Sequence, residues 1–221
     1  MRRNLRMAVV ISLVLGPSGV ALADLESDFK DAVSKEGCES IPYSDLRGNC
    51  TSQQTGVTDW CKNSSRPVTC GSESITRDLK KKVEDSKKNV DNLKQKKRDL
   101  EDKKSRATDD KEKDRLGKEI EQCERDLYDG NKAVDQAVAD VDARKKLVED
   151  ALYNIEKCID YRRAVMNVFA SAQDKVRGET DAKIVAFARQ LRDKYEESKR
   201  GHEIAIKDKE NARSTCKDSR P

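Results

Sequence analysis

The sequence predicts an all-α protein. Its long antiparallel coiled-coil helices form helical hairpins around one long central helix, behind a small N-terminal loop-rich, disulfide-linked segment. Three observations carry this expectation. Charged residues make up 40% of the chain and aromatics only 4%, too few bulky apolar side chains for a rounded core and typical of long helices with narrow seams. The four prolines are Pro17, Pro42, Pro67 and Pro221, which leaves residues 68–220 free of the residue that breaks helices. Finally, Ile120, Leu127, Val134, Val141, Val148, Ile155, Arg162, Phe169 and Val176 recur at a strict interval of seven, and all but Arg162 are apolar.

Residues 1–23 read as a secretory signal peptide. Arg2, Arg3 and Arg6 precede a mostly apolar run from Met7 to Val20, and Ala21 and Ala23 form an A-x-A site before Asp24. Gly16, Pro17 and Gly19 interrupt the run, which falls short of the ~20 residues a membrane span needs. No later stretch is apolar enough to span a bilayer, so no transmembrane segment is expected after cleavage. The expected location is exported, either periplasmic or extracellular. The leader holds three of the 46 basic residues and none of the 42 acidic ones, so the remainder is close to neutral. Its charges are interspersed, as on solvated helix faces, and point to no nucleic-acid partner.

Residues 24–72 are expected to form a Cys-rich loop segment with one short helix. Leu25, Phe29 and Val33 lie on one face of that helix. Gly37, Pro42, Gly48, Asn49, Gly56, Asn63, Pro67 and Gly71 then punctuate the chain as turns require. Cys38, Cys50, Cys61 and Cys70 fall here, in a segment too small to hold itself together by burial alone. Tyr43 and Trp60 are its aromatic residues, readable as a small exposed binding face or as a mini-core around the disulfides.

Residues 73–216 are expected to form the helical domain, with helices over about 75–105, 109–176 and 181–215 and a tail at 217–221. The first carries Leu79, Val83, Ser86, Val90, Leu93, Lys97 and Leu100 at alternating spacings of four and three. From Glu101 to Arg115 the chain is almost wholly polar, and apolar residues return out of phase. That allows either a turn near residues 105–110, capped by Thr108 or Asp109, or an unbroken helix. The central helix adds a second seam of Cys123, Gly130, Ala137, Arg144, Ala151, Cys158, Val165 and Ala172, mostly small residues that let helices approach closely. A strict sevenfold repeat implies a left-handed supercoil, and the segment would be about 100 Å long if straight. Arg177 to Asp181 marks the next break, with Gly178 at a helix end and Thr180 or Asp181 as the following cap. The last helix presents Ile184, Ala188, Leu191, Tyr195, Ser198, His202 and Ala205.

Hairpin geometry constrains the seven cysteines. A turn centred near 108 sets residue i beside 216 − i, and one near 178 sets i beside 356 − i. Cys216 then lies beside residue 140, at the level reached by the start of the first long helix. This favours Cys70–Cys216, with Cys158 bonded to Cys61 and Cys38 to Cys50. Pairing within the N-terminal segment, as 38–70 and 50–61, fits the sequence equally. Cys123 and Cys158 are too far apart on one helix to bond each other. Cys123, on the apolar seam, is left as a buried thiol or as an intermolecular disulfide.

Chemistry-bearing patterns are sparse. No C-x-x-C, G-x-S-x-G or glycine-rich phosphate loop occurs, and the single histidine, His202, sits at a seam position. No residue is therefore assigned a catalytic, cofactor-binding or metal-binding role. Asn49-Cys50-Thr51 and Asn63-Ser64-Ser65 are glycosylation triplets in the loop-rich segment. The expectation is a non-enzymatic exported coiled-coil protein acting as a structural spacer, scaffold or partner-binding rod. Its partners are unidentified proteins or a second copy held through the heptad seam. The alternative is a periplasmic holdase-like chaperone or a peptide- or ligand-binding helical module. The resemblance to holdases with helical tentacles is one of shape, and no motif carries it.

Overall fold

The computed structural model describes residues 18–221, with side chains from Asp24 onward. The basic stretch and most of the apolar run of the expected leader, Met1 to Pro17, lie outside the described residues. Among those described the fold is all-α. Five α-helices are joined by short turns: α1 (Ser18–Ser34), α2 (Ser44–Val57), α3 (Glu73–Arg106), α4 (Asp110–Arg177) and α5 (Val185–Asp218). A 3-10 turn, Gly37–Ser40, links α1 to α2, and a π-helical turn, Thr58–Lys62, extends α2. Helix α1 runs through Ala21, Ala23 and Asp24, so the expected cleavage point lies inside a helix.

The helix ends follow from local chemistry. Ser72 precedes α3, and its side chain accepts from the Ser74 N–H, after Gly71 at φ +65° turns the chain. Lys103, Lys104 and Arg106 close α3 at its negative end. The break expected in the polar run is a turn of three residues, 107–109. Asp109 caps α4 by accepting the Lys111 N–H at 3.2 Å. At the other end of α4 the Gly178 N–H bonds to Asp174 and Lys175 carbonyls. Asp181 caps the next turn, taking the Lys183 N–H on its side chain and the Ile184 and Val185 N–H groups on its carbonyl.

The segment expected to be loops is largely helical. Helix α2 forms over Ser44–Val57 although it contains Gly48 and Gly56, residues that each cost a helix about 1 kcal/mol. Tertiary constraint outweighs that deficit: Cys50 is bonded to Cys38, and Gly56 lies so close to the Tyr161 ring that no side chain fits between them.

The described chain divides into two compact units, and the division runs through helices α2, α4 and α5. One unit holds the chain through Gln54 with Ala164–His202; the other holds Thr55–Arg163 and Glu203–Pro221. In the first, Phe29 of α1, Ile41, Phe169 of α4, Ile184, and Leu191 and Tyr195 of α5 are buried. Tyr195 donates to the Ser40 carbonyl at 2.5 Å, and Lys194 donates to the carbonyls of Val33 and Lys35 at the end of α1. Gln173 of α4 meets Glu196 of α5 at 3.1 Å, and Phe169 stacks near His202. The expected register would have placed residues 183 and 187 there. The connection from Gly178 to Ile184 is itself curled around Asp181, so helix pairing begins beyond it.

In the second unit α3 and α4 form an antiparallel hairpin. Leu100 packs with Leu116, Cys123 donates to the Leu93 carbonyl, and Lys82 meets Asp140 at 2.9 Å. The register is close to the expected 216 − i at the turn and drifts by a few residues along the hairpin. The seam residues of α3 are its covered positions: Val90 and Leu100 are buried, and Leu79, Val83, Ser86, Leu93 and Lys97 are half-buried. The other core of this unit gathers Val148, Ala151, Leu152, Ile155 and Ile159 of α4 with Ile206 and Cys216 of α5 and with Cys70.

Candidate functional site

Arg144 occupies a seam position of α4 and is only 8% exposed. Its Nε donates to Thr76 Oγ1 at 3.3 Å and its Nη2 to the Ser72 carbonyl at 3.2 Å. Thr76 in turn donates to the Ser219 carbonyl at 2.6 Å. The start of α3 and the end of α5 therefore meet over one arginine. The guanidinium thus binds a carbonyl and a hydroxyl at the start of α3, and that hydroxyl carries the link on to a carbonyl just past the end of α5. Beside it, Cys70–Cys216 closes the junction covalently, with both cysteines buried.

Two further disulfides join Cys61 to Cys158 and Cys38 to Cys50. Cys123 is the free cysteine, 1% exposed, with its thiol on the Leu93 carbonyl at 3.3 Å. An intermolecular disulfide would require the hairpin to open there.

Tyr43 belongs to one compact unit and Trp60 to the other. Tyr43 packs edge-on against Phe29 and donates to Glu179 at 2.8 Å, with the Lys175 ammonium over its ring. Burial, and then the bond to Glu179 and its negative charge, push the Tyr43 pKa far above the ordinary phenol value. Burial likewise raises that of Tyr195. Trp60 packs edge-on against Tyr153, with the Arg66 guanidinium 3.8 Å from its ring centre. Both residues are thus components of stacked cation–aromatic sets, beside Lys175 and Arg66 respectively.

The glycosylation triplets are both exposed at their asparagines. Asn49 lies within α2, and its side chain accepts from Gln53. Asn63 sits in the turn after Lys62 and takes both the N–H and the hydroxyl of Ser65 on its Oδ1. Arg162, the charged member of the long seam, is half-buried, and that burial lowers its pKa. Among the described residues no group of three or more His, Cys, Asp or Glu side chains is placed to hold a metal ion. None of the described helices is long and apolar enough to cross a membrane.

The hairpin offers the most distinctive surface. Ile120, Leu127, Val134 and Val141 are only half-buried, whereas Val148 and Ile155, next on the same row, are fully buried. The difference follows from cover: α3 lies over the first four, and the segment around Cys70 and α5 join over the others. A groove beside the row is lined by Lys80, Val83, Glu84, Lys87, Val138 and Val141. Val138 is 40% exposed and Tyr128 72%. Periodicity alone could not reveal this surface, because a seam row looks identical whether one neighbour or two cover it. Comparison with family models, curated proteins and solved structures finds no match to this chain.

Proposed function

We propose that this is an exported, non-enzymatic helical protein whose role is structural, as a spacer or scaffold that presents helix surfaces to a protein partner outside the cytoplasm. The observation that carries the reading is the disulfide set. Six of seven cysteines are bonded, and two of the bonds, Cys61–Cys158 and Cys70–Cys216, link segments 97 and 146 residues apart. Such bonds persist in oxidising compartments and are rare where glutathione keeps thiols reduced. The leader-like residues 1–23 and the absence of a membrane-crossing helix among the described residues agree with it.

The test is intact mass and disulfide mapping of the protein recovered from cells that made the full chain. The expected product begins at Asp24 and carries these three bonds. A product that retains residues 1–23 and six reduced thiols would remove the basis for export.

A second reading, a holdase-like module, draws on the half-covered row of α4 and the exposed Tyr128 and Val138. It requires that the oxidised protein suppress aggregation of an unfolded client at stoichiometric amounts. A scaffold has no such effect.

A further inference from the structure

We propose that the face of the α3–α4 hairpin carrying the half-covered row Ile120, Leu127, Val134 and Val141 docks a second copy of this chain, α3 of each copy lying along α4 of the other. Such a copy is the partner in the scaffold reading, and the proposal rests on that reading only in this sense, since the fit is geometric and independent of compartment.

The row itself calls for cover. The same heptad position is fully buried at Val148 and Ile155, where more than one segment packs on it, and half-buried where α3 lies over it. Val138 and the groove beside it extend the uncovered strip. A two-helix hairpin has one seam satisfied internally and a second apolar strip at its side, as in bundles completed by another hairpin.

Charge selects the occupant. Helix α3 carries 13 basic and 8 acidic residues. The stretch of α4 facing it, residues 119–142, carries 8 acidic and 2 basic residues. Within the chain this already shows as ion pairs, Lys82 with Asp140 at 2.9 Å and Lys97 with Glu124 at 2.6 Å. The exposed flanks of both helices, where Lys80 and Lys87 line the groove, continue the pattern. Lys80, Lys87 and Lys94 are exposed at intervals of seven on α3, and Glu121, Tyr128, Asp135 and Asp142 at the same interval on α4.

Carrying the Lys82–Asp140 register across to another molecule sets Lys80 opposite the partner's Asp142. It likewise sets Lys87 opposite the partner's Asp135 and Lys94 over the ring of the partner's Tyr128. The match holds at three successive heptads, and it holds in both directions because the interface is two-fold symmetric. Placing α4 on the partner's α4 instead would oppose acidic rows to acidic rows. Like charges at that separation disfavour that pairing. The symmetry axis therefore runs along the hairpin, and the two turns at residues 107–109 come to the same end.

Sedimentation equilibrium of the oxidised protein from low micromolar to about 100 µM tests the association. The expected mass is twice that of the chain, with or without reductant-free handling of Cys123, because no bond between copies is involved. Lys80→Glu with Lys87→Glu is expected to weaken the dimer by about tenfold or more at low salt. Adding Asp135→Lys and Asp142→Lys to the same chain is expected to restore it. Helix content by circular dichroism stays constant throughout, since all four residues are exposed. Val138→Lys, also at an exposed site, is expected to give monomer without loss of helix. A pyrene label on Ser105→Cys reports the arrangement: excimer emission is expected because the turns lie together.

A monomer at every concentration overturns the proposal. A dimer indifferent to the charge reversals, or one lacking excimer emission, overturns the α3-on-α4 arrangement that defines it. Neither result alters the mass and disulfide map that test export.

Discussion

Thr76 Oγ1 donates to the carbonyl of Ser219 across 143 residues of chain, and the same hydroxyl accepts from Arg144. It therefore serves as a two-way link between the first turn of α3 and the last turn of α5. Thr76→Val keeps the shape and removes the link. It leaves a buried carbonyl and a buried guanidinium nitrogen each short of a partner. The expected loss is about 1–3 kcal/mol in urea unfolding of the oxidised protein. No change in unfolding midpoint would show that water replaces the hydroxyl.

The disulfides are expected to differ in weight. Cys70–Cys216 closes a sequence separation of 146 residues and Cys38–Cys50 one of 12. Chain-entropy arguments give about 5 and about 3 kcal/mol for loops of those sizes. Cys70→Ala with Cys216→Ala should lower the thermal midpoint more than Cys38→Ala with Cys50→Ala. The reverse order would mean that native packing already holds the α3–α5 junction.

Two glycines of α2 should respond in opposite directions to alanine. At Gly56 a methyl group would enter the ring of Tyr161, whereas at Gly48 it would meet nothing. Gly56→Ala is expected to destabilise by about 1–3 kcal/mol through overpacking. Gly48→Ala should stabilise by up to about 1 kcal/mol through helix propensity. Thermal melts of the two variants side by side decide the matter.

Alkaline pH should unfold the protein through its tyrosines. Tyr43 and Tyr195 have folded pKa values raised above the unfolded value near 10, chiefly by burial. Their contribution to stability is complete below about pH 10 and lost as pH climbs above it, because the unfolded chain then releases protons that the folded chain retains. Tyr43→Phe is expected to make stability less steeply dependent on pH above that point. Absorbance of tyrosinate near 295 nm, followed with circular dichroism, gives both quantities in one titration.

Cys123 should be silent to a thiol reagent in the native protein and react once per chain in denaturant without reductant. It is 1% exposed and bonded to the Leu93 carbonyl. Rapid native labelling would mean that the α3–α4 hairpin opens at its waist.

Much of the architecture was legible from spacing. The nine-residue row of α4 contains no exposed member, and the α3 seam coincides with its covered positions. Interval-of-seven patterns record which face is packed, and here the packed face runs the length of the helices. The turn at 107–109 was one of two readings that the polarity change and phase shift allowed. Two things were not legible. Helix α2 has the composition of a loop, and its stability comes from contacts such as Gly56 with Tyr161, which no local pattern encodes. The register of α5 depends on how the Gly178–Ile184 connection curls around Asp181, and a turn's centre does not report its shape. Arg144 was visible as an oddity in a seam, but its meaning requires knowing that the start of α3 and the end of α5, distant in sequence, meet beside it.

The order of the cysteines along the polypeptide has a consequence for biogenesis. A ribosome releases Cys38 and Cys50 close together, so that bond can close early. Cys61 and Cys70, nine positions apart, must both stay reduced, or be corrected, until Cys158 and then Cys216 emerge. A premature 61–70 bond would have to be opened by thiolate attack before the native set could form, so a disulfide-shuffling catalyst is expected to speed maturation of this protein more than its helices alone would require.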